Sequence, residues 1–315
     1  MAKYLVTGGA GFIGSNIVKR LLESGEFVRV VDNFSTGRRE NIEEFIVNSN
    51  FELIEGDLID LDTARKSVKD IDFVLHQAAI PSVPRSIENP LKSTNANVIG
   101  TLNLLIAARD EGVKKFVYAS SSSIYGDSPK LPKKEDFPIN PISPYSLTKY
   151  AGERYAQLFW QIYKLPTISL RYFNVFGPKQ DPHSQYAAVI PKFIGALLRR
   201  EKPVIYGNGK QTRDFTYVDN VVEANLLAAK SEKGFGEVFN IACGKEISLN
   251  QLLQLLQEII GVKIKPEYTA PRPGDILHSR AEISKAKKIL NYTPKTELKE
   301  GLIKTVEWFK QNEKF

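Results

Sequence analysis

The sequence predicts an α/β protein: a doubly wound parallel sheet with a second, smaller α/β lobe. Short apolar strands alternate with amphipathic helices through the first half of the chain. Each of these strands ends in glycine, acid, amide or hydroxyl residues, the punctuation of a sheet whose ligands gather at its carboxyl edge. Beyond about residue 174 the alternation loosens into loops, short strands and prolines, which suits a smaller lobe closing over that edge.

Lys3 to Thr7 is the first strand and runs straight into Gly8-Gly9-Ala10-Gly11-Phe12-Ile13-Gly14. Gly9, Gly11 and Gly14 fit G-x-G-x-x-G, and Ile13, Ile17, Val18, Leu21 and Leu22 then recur at helical spacing. A strand, a glycine turn and a helix together bring backbone N–H groups and a helix N-terminus to a pyrophosphate. Alone, the triplet would also serve any tight turn. The second strand, Phe27 to Val31, ends in Asp32, close to where a carboxylate holds a ribose 2′-hydroxyl. Such an acid repels a 2′-phosphate and favours NAD over NADP, although Arg38 and Arg39 nearby pull the other way.

Three more strands follow: Phe51 to Glu55 before Gly56-Asp57, Phe73 to His76 before Gln77-Ala78-Ala79, and Lys115 to Ala119 before Ser120 to Ser123. An apolar helix is predicted from Asn97 to Glu111, and Ser143-Pro144 opens another that reaches about Tyr163. Serine suits its N-cap and proline its first position. Tyr145 and Lys149 then share one face. A free phenol has a pKa of about 10, so a phenolate at neutral pH needs roughly 4 to 5 kcal/mol of stabilisation. The Lys149 ammonium and the helix dipole are expected to act in that direction. With 13 tyrosines in the chain the spacing is not specific; Tyr206 and Lys210 repeat it, but across the loop sequence Gly207-Asn208-Gly209.

A sixth strand, Thr167 to Leu170, leads to Arg171-Tyr172-Phe173-Asn174. Gly177 to Pro182 is loop, Val189 to Arg200 helix and Pro203 to Tyr206 strand. Arg213 to Asp219 introduces a further helix, Leu249 to Ile260 is amphipathic, and Pro266 to Gly274 is a proline-rich loop.

The totals narrow the function classes. With 42% hydrophobic and 25% charged residues over 315 positions, the chain can bury a large core. No apolar run approaches the roughly eighteen residues of a membrane span, and the N-terminus enters a strand without a cleavable leader, so a cytoplasmic protein is expected. The single cysteine, Cys243, excludes an internal disulfide and reads as a small residue at a buried strand end. His76, His183 and His278 have no ligand spacing, so no metal chemistry is expected. The net charge of +7 is spread along the chain without a basic run; an anionic small molecule accounts for it as well as nucleic acid would, and no nucleic-acid partner is expected.

Six motifs in order carry a family resemblance: TGGAGFIG (Thr7–Gly14), SSSSIYGD (Ser120–Asp127), SPYSLTKYAGE (Ser143–Glu153), RYFNVFGP (Arg171–Pro178), RDFTYVDN (Arg213–Asn220) and RPGDILHS (Arg272–Ser279). Over essentially its whole length the chain resembles the extended short-chain dehydrogenase/reductases, and among them the nucleotide-sugar 4-epimerases. The resemblance implies a Rossmann domain at 1–174, rejoined by a segment at about 205–240, and a UDP-sugar-binding lobe made of 175–204 and 241–315. It implies Tyr145 as catalytic base, Lys149 as its tuner and Ser121 as the group that shares the proton. It implies NAD held by Gly8, Gly11, Phe12 and Ile13 at the turn, and by Asp32, Asn33, Ser35, Thr36 and Gly37 after the second strand. Asp57, Leu58, Gln77, Ala78, Ala79, Asn97, Tyr172 and the Tyr145–Lys149 pair complete that set.

For the substrate, the resemblance implies diphosphate contacts from Asn174, Arg213 and Arg272, a uracil stacked on Tyr206 and a ribose partner in Asp275. Ser82, Ser121, Ser122, Ser123, Tyr145, Val189 and Ser279 would surround the sugar. Dehydratases of this family carry an Asp-Glu pair where this chain has Ser122 and Ser123, which disfavours elimination of water. At the position of Ser279, relatives confined to glucose and galactose have a tyrosine; serine leaves room for an N-acetyl group. The implied activity is interconversion of UDP-N-acetylglucosamine and UDP-N-acetylgalactosamine at carbon 4, with plain hexoses as further substrates. A nucleotide-sugar dehydratase or reductase, and a non-catalytic NAD-binding protein, are the alternatives. A homodimer is also implied, through the Asn97–Glu111 and Tyr145–Tyr163 helices, with Tyr155, Leu158, Phe159 and Ile162 as a stripe that could equally pack inside.

Overall fold

The computed structural model describes residues 1–181, 188–271 and 277–312. Arg272 and Asp275 lie outside the described residues. In chain order the first part comprises β1 (Lys3–Thr7), α1 (Phe12–Glu23), β2 (Phe27–Asp32), β3 (Phe51–Glu55), α2 (Leu61–Val68), β4 (Phe73–His76), α3 (Val83–Glu88), α4 (Pro90–Thr94), α5 (Gly100–Glu111), β5 (Lys115–Ser121), α6 (Pro144–Tyr163) and β6 (Thr167–Tyr172). Then come β7 (Val175–Phe176), α7 (Val189–Leu198), β8 (Val204–Tyr206), β9 (Thr212–Arg213), β10 (Thr216–Tyr217), α8 (Val218–Lys230) and β11 (Glu237–Ile241). β12 (Ile247–Ser248), α9 (Leu249–Ile260), β13 (Glu267–Thr269), β14 (His278–Ser279), α10 (Ser284–Leu290) and α11 (Leu298–Asn312) complete the order.

Seven strands form one sheet in the order β11-β6-β5-β4-β1-β2-β3, parallel throughout. The doubly wound fold read from the sequence is the one adopted. Both faces are buried, and the period of two divides each strand between them: Tyr4 and Val6 join the core under α1 and α8, while Leu5 joins the core under α2, α5 and α6. The chain winds outward from β1 to β3, then restarts on the other side of β1 with β4. That reversal opens a crevice above the carboxyl ends of β1 and β4, where Thr7 lies in register with His76.

Some boundaries differ from the sequence reading. The helix predicted from Asn97 starts earlier, because Asn89 caps a proline-led turn that runs through α4 and a π turn at Asn95–Ile99 into α5. β6 extends two residues further, to Tyr172. α7 stops at Leu198, and β8 begins at Val204. β11 adds a seventh strand despite its polar Asn240, which is fully buried yet satisfied by Tyr125, Lys133, Glu135 and Glu282. On α6, Phe159 is buried under the sheet and Tyr155 packs against the same core, whereas Leu158 and Ile162 face outward.

α6 is tied to the sheet by a buried ion pair. Arg171 in β6 holds both Glu153 oxygens, at 2.9 and 2.7 Å, and Ser120 in β5 donates to the same carboxylate at 2.7 Å. Both charged side chains are almost wholly out of water. Such a pair costs about what a matched apolar pair would save, but breaking one half strands the other. Glu153→Ala or Arg171→Met alone should therefore lower unfolding free energy by about 3–5 kcal/mol, and Glu153→Leu with Arg171→Met by clearly less than the two single losses combined. Chemical denaturation of the three variants checks this.

Candidate active site

The crevice floor is the glycine turn. A Cβ at Gly8 would lie 2.8 Å from the backbone N and Cα of Ala78, and one at Gly14 would lie 2.2 Å from the Gly8 carbonyl oxygen. Only bare backbone lets the loops after β1 and β4 approach this closely. Gly11 caps α1 without a side-chain hydrogen bond, so the N-cap leaves the first N–H groups of that helix, Phe12 and Ile13 among them, to another acceptor. Asp32, at the tip of β2, is buried and accepts the N–H of Ala10 at 2.9 Å and of Phe34 at 2.8 Å. Burial raises its carboxyl above the usual range while those bonds hold it down. Gly37 folds back over its two oxygens, Ser35 and Thr36 are exposed beside it, and Asn33 bridges to Asp57 at 2.8 Å. Leu58 is buried against Gly100.

Above β5 stands Tyr145. Ser143 and Ser146 form a reciprocal cap, which places Pro144 at the first position of α6 and Tyr145 at the second. Gly152 matters here: a Cβ would meet the Tyr118 hydroxyl at 2.3 Å, so glycine lets α6 lie close on β5 and brings Lys149 down to the Ala119 carbonyl, 2.9 Å from its Nζ. Ser121, at the end of β5, hydrogen-bonds the Tyr145 phenol, which lowers its pKa. The net shift is nevertheless upward, because burial outweighs that bond. The expectation that Lys149 depresses the phenol is corrected accordingly: Lys149 is itself buried, donates to a backbone carbonyl, and is pushed down to about 8. Ser123 donates to Ser121 through both its N–H, at 3.2 Å, and its hydroxyl, at 2.9 Å.

The sequence did not mark the wiring between the crevice floor and Tyr145. The Ala78 N–H donates to Thr7 Oγ1 at 3.1 Å, and Thr7 Oγ1 lies 2.7 Å from His76 Nδ1. Thr101 Oγ1 lies 2.8 Å from His76 Nε2 and spends its own proton on the Asn97 carbonyl at 2.7 Å. With that proton committed, Nε2 must be the protonated nitrogen and Nδ1 the acceptor from Thr7. Asn97 Nδ2 then donates to Thr148 Oγ1 at 3.0 Å, which donates to the Tyr145 carbonyl at 2.8 Å, while Asn97 Oδ1 takes the Ile80 N–H at 2.7 Å. Desolvation, reinforced by Lys149, pushes the His76 imidazole down to about 3, so it stays neutral at working pH. Helical spacing between Asn97 and Thr101 was the one available signal.

The remaining residues divide by distance along the fold. Gln77 and Tyr172 hydrogen-bond one another at 3.1 Å and share Asn225, closing the β4–β6 side beside Ala78 and Ala79. Ser82 caps α3, and the Ser86 hydroxyl in that helix accepts the Tyr145 N–H at 3.0 Å. Arg213 and Ser279 are brought together as register partners in β9 and β14. Asn174, in the left-handed region at φ 35°, reaches the Asp214 carbonyl at 3.0 Å. Val189 opens α7, and Tyr206 ends β8, with its carbonyl accepting Gln211 at 2.6 Å. Lys210, beyond the turn, shares no helix with Tyr206. A cavity of about 950 Å³ behind α1, lined in part by Lys19, Arg38, Lys179 and Trp308, touches none of the predicted site residues. Among the described residues there is no cluster suited to a metal ion and no helix long and apolar enough to cross a membrane.

Residues 4–242 match the profile of the NAD dependent epimerase/dehydratase family. The chain belongs to that family. It is 42% identical over 310 residues to a putative UDP-glucose 4-epimerase of Methanocaldococcus jannaschii, covering 98% of each chain. Among solved structures it resembles a UDP-N-acetylglucosamine 4-epimerase of Methanobrevibacter ruminantium in complex with UDP-N-acetylmuramic acid, at a TM-score of 0.94 and 42% identity over 98% of each chain. It also resembles a UDP-glucuronic acid 4-epimerase of Bacillus cereus in complex with UDP-glucuronic acid and NAD, at a TM-score of 0.91 and 34% identity over 98% of this chain and 99% of that one.

The crevice suits the NAD on which the family depends. The glycines keep the turn tight against Ala78 with bare backbone, the uncapped N-terminus of α1 favours a diphosphate, and Asp32 keeps about half its lone pairs for ribose hydroxyls. The buried Lys149 ammonium allows a test without cofactor. Its pKa in the fold, about 8, lies below the ordinary 10.5, so the folded state resists the charge at neutral pH and is relieved as pH rises from 8 toward 10.5. Lys149→Met should stabilise the cofactor-free protein at pH 7 by roughly 1–3 kcal/mol, after losing the bond to Ala119, and the gain should shrink as pH approaches 10. Thermal melts across that range measure it.

Proposed function

We propose that this chain is a UDP-sugar 4-epimerase, an isomerase that inverts carbon 4 of UDP-N-acetylglucosamine and UDP-N-acetylgalactosamine. The observation that carries the reading is the Ser121–Tyr145–Lys149 group, assembled at the carboxyl edge of β5 beside a dinucleotide crevice. Bound NAD would supply reversible oxidation at carbon 4. Tyr145 takes the proton of the sugar 4-hydroxyl and later returns it. Ser121 stabilises the phenolate through its hydrogen bond, while the Ser143 cap and the Ser86 hydroxyl fix the backbone from which the phenol projects. Because burial opposes ionisation of Tyr145, the proton leaves only when a further positive charge is close, which the oxidised nicotinamide of bound NAD would supply, while Lys149 would hold the nicotinamide ribose.

Gly8, Gly11, Phe12, Ile13, Asp32, Asn33, Ser35, Thr36, Gly37, Asp57 and Leu58 would hold the adenosine and diphosphate of NAD, with Asn97 and Tyr172 bracing the nicotinamide end. Asn174, Arg213 and Tyr206 would grip UDP, leaving the sugar few contacts, so that a 4-keto sugar can turn and accept reduction on its other face. Residues 1–174 with α8 and β11 of the segment at about 205–240 would act as the cofactor domain; β8 and β9, at the start of that segment, pair instead with β13 and with β12 and β14, so they would go with the substrate lobe of 175–204 and 241–315. Ser122 and Ser123 place hydroxyls, not an acid pair, beside Ser121, which favours epimerisation over dehydration. Ser279, small and half-buried next to Arg213, leaves space for an N-acetyl group. The outward Ile99, in the π turn before α5, and Leu158 and Ile162 of α6 support a homodimer.

Purified protein incubated with UDP-N-acetylglucosamine should give an equilibrium mixture with UDP-N-acetylgalactosamine and no net reduced cofactor; a 6-deoxy-4-keto product, or no conversion of any UDP-hexose, refutes the proposal. Tyr145→Phe should lower kcat by about 10²–10⁴ with KM little changed. Ser279→Tyr should depress turnover of N-acetylated sugars well below that of UDP-glucose, as competition between the two substrates would reveal.

A further inference from the structure

Asp214 is wholly buried and, among the described residues, joined to no cation. Its Oδ1 accepts the Cys243 N–H at 3.0 Å, and its Oδ2 accepts Gly244 N–H at 3.0 Å and Ala281 N–H at 3.1 Å. These donors lie on two separate segments, the turn leaving β11 and the stretch between β14 and α10. Its backbone carbonyl accepts the Asn174 side chain from a third. The residue before it, Arg213, stands in β9 opposite Ser279 of β14 and Ile247 of β12. One residue thus ties together the pieces that carry Asn174, Arg213 and Ser279, by its carboxylate to the segments after β11 and β14 and by its carbonyl to Asn174.

Burying a lone carboxylate is expensive, and burial pushes this one up to about 7, with Glu246 adding to the rise. Only a carboxylate, however, offers two acceptor oxygens and no donor, which three converging N–H groups require. Resting on the UDP-sugar reading above, we propose that Asp214 is a positioning residue for the substrate: its carboxylate bonds to three backbone N–H groups fix Arg213 against Ser279, and the carbonyl so held fixes Asn174, in the spacing that the nucleotide diphosphate and the adjoining sugar need. Its hydrogen-bond partners include neither Tyr145 nor the residues that would hold NAD, so its effect falls on substrate binding.

Asp214→Asn keeps the shape but turns an NH₂ toward at least one of those N–H groups, breaking one or two of the three bonds. Calorimetry with UDP and steady-state kinetics with UDP-N-acetylglucosamine should show Kd and KM raised at least about tenfold, with kcat changing far less and the NAD content of the purified protein unchanged. Unchanged Kd and KM overturn the inference, as does an equal fall in kcat and NAD content, which would mark a merely structural role. If the wild type converts no UDP-sugar, the functional reading itself fails, and that result is separate from either outcome. Should Asp214→Asn not fold, a structure of the wild type with UDP decides: a diphosphate held by Arg213 and Asn174 supports the inference, and one touching neither refutes it.

Discussion

The hydrogen-bonded line through His76 is the constraint on which the site depends. It starts at Ala78, over the glycine turn, and ends on the carbonyl of Tyr145, passing through Thr7, Thr101, Asn97 and Thr148. Each group in it has its proton committed in one direction, so the imidazole can occupy only one tautomer and one orientation. The cofactor crevice belongs to β1 and β4 and the phenol to α6; this line gives them a common frame. A rotation of α6 by a fraction of a turn would break it in the interior, where an unsatisfied donor costs about 1–3 kcal/mol.

Burial sets the electrostatics more than charge pairing does. Tyr145 is pushed up, Lys149 down to about 8, His76 down to about 3 and Asp214 up to about 7, each with desolvation as the leading cause. Arg171 is the exception, since its fork-to-fork contact with Glu153 outweighs its loss of water and raises its pKa. At neutral pH Tyr145 and His76 therefore carry no charge, while Lys149 keeps its own against the cost of burial. A dianionic UDP-sugar and a positively charged nicotinamide would then act on the site strongly, because few resident charges compete.

Most of the crevice could be read from the chain. The glycine turn, the acid after β2 and the Ser143–Lys149 stretch each announce local geometry: bare backbone at a tight turn, a carboxylate at a strand tip, a cap followed by residues one helical turn apart. His76, Asp214 and Ser86 could not be read in the same way. Their partners lie 25 to 69 positions away in sequence, as for Thr101 and Thr7 around His76, and 59 for Ser86 and Tyr145. No periodicity links them.

The amino-acid sequence by itself determined the doubly wound parallel sheet, the dinucleotide turn and the family, because strand period, helix caps and glycine requirements act between near neighbours. The sign of the Tyr145 shift was a matter for the tertiary structure. A lysine four residues along a helix looks like a charge that favours the phenolate, but packing against β5 removes water from both groups and turns Lys149 to the Ala119 carbonyl. Likewise only the folded chain brings Arg213 beside Ser279 and hangs both on Asp214, since a parallel register between two-residue strands is fixed by what packs around them and not by their own residues.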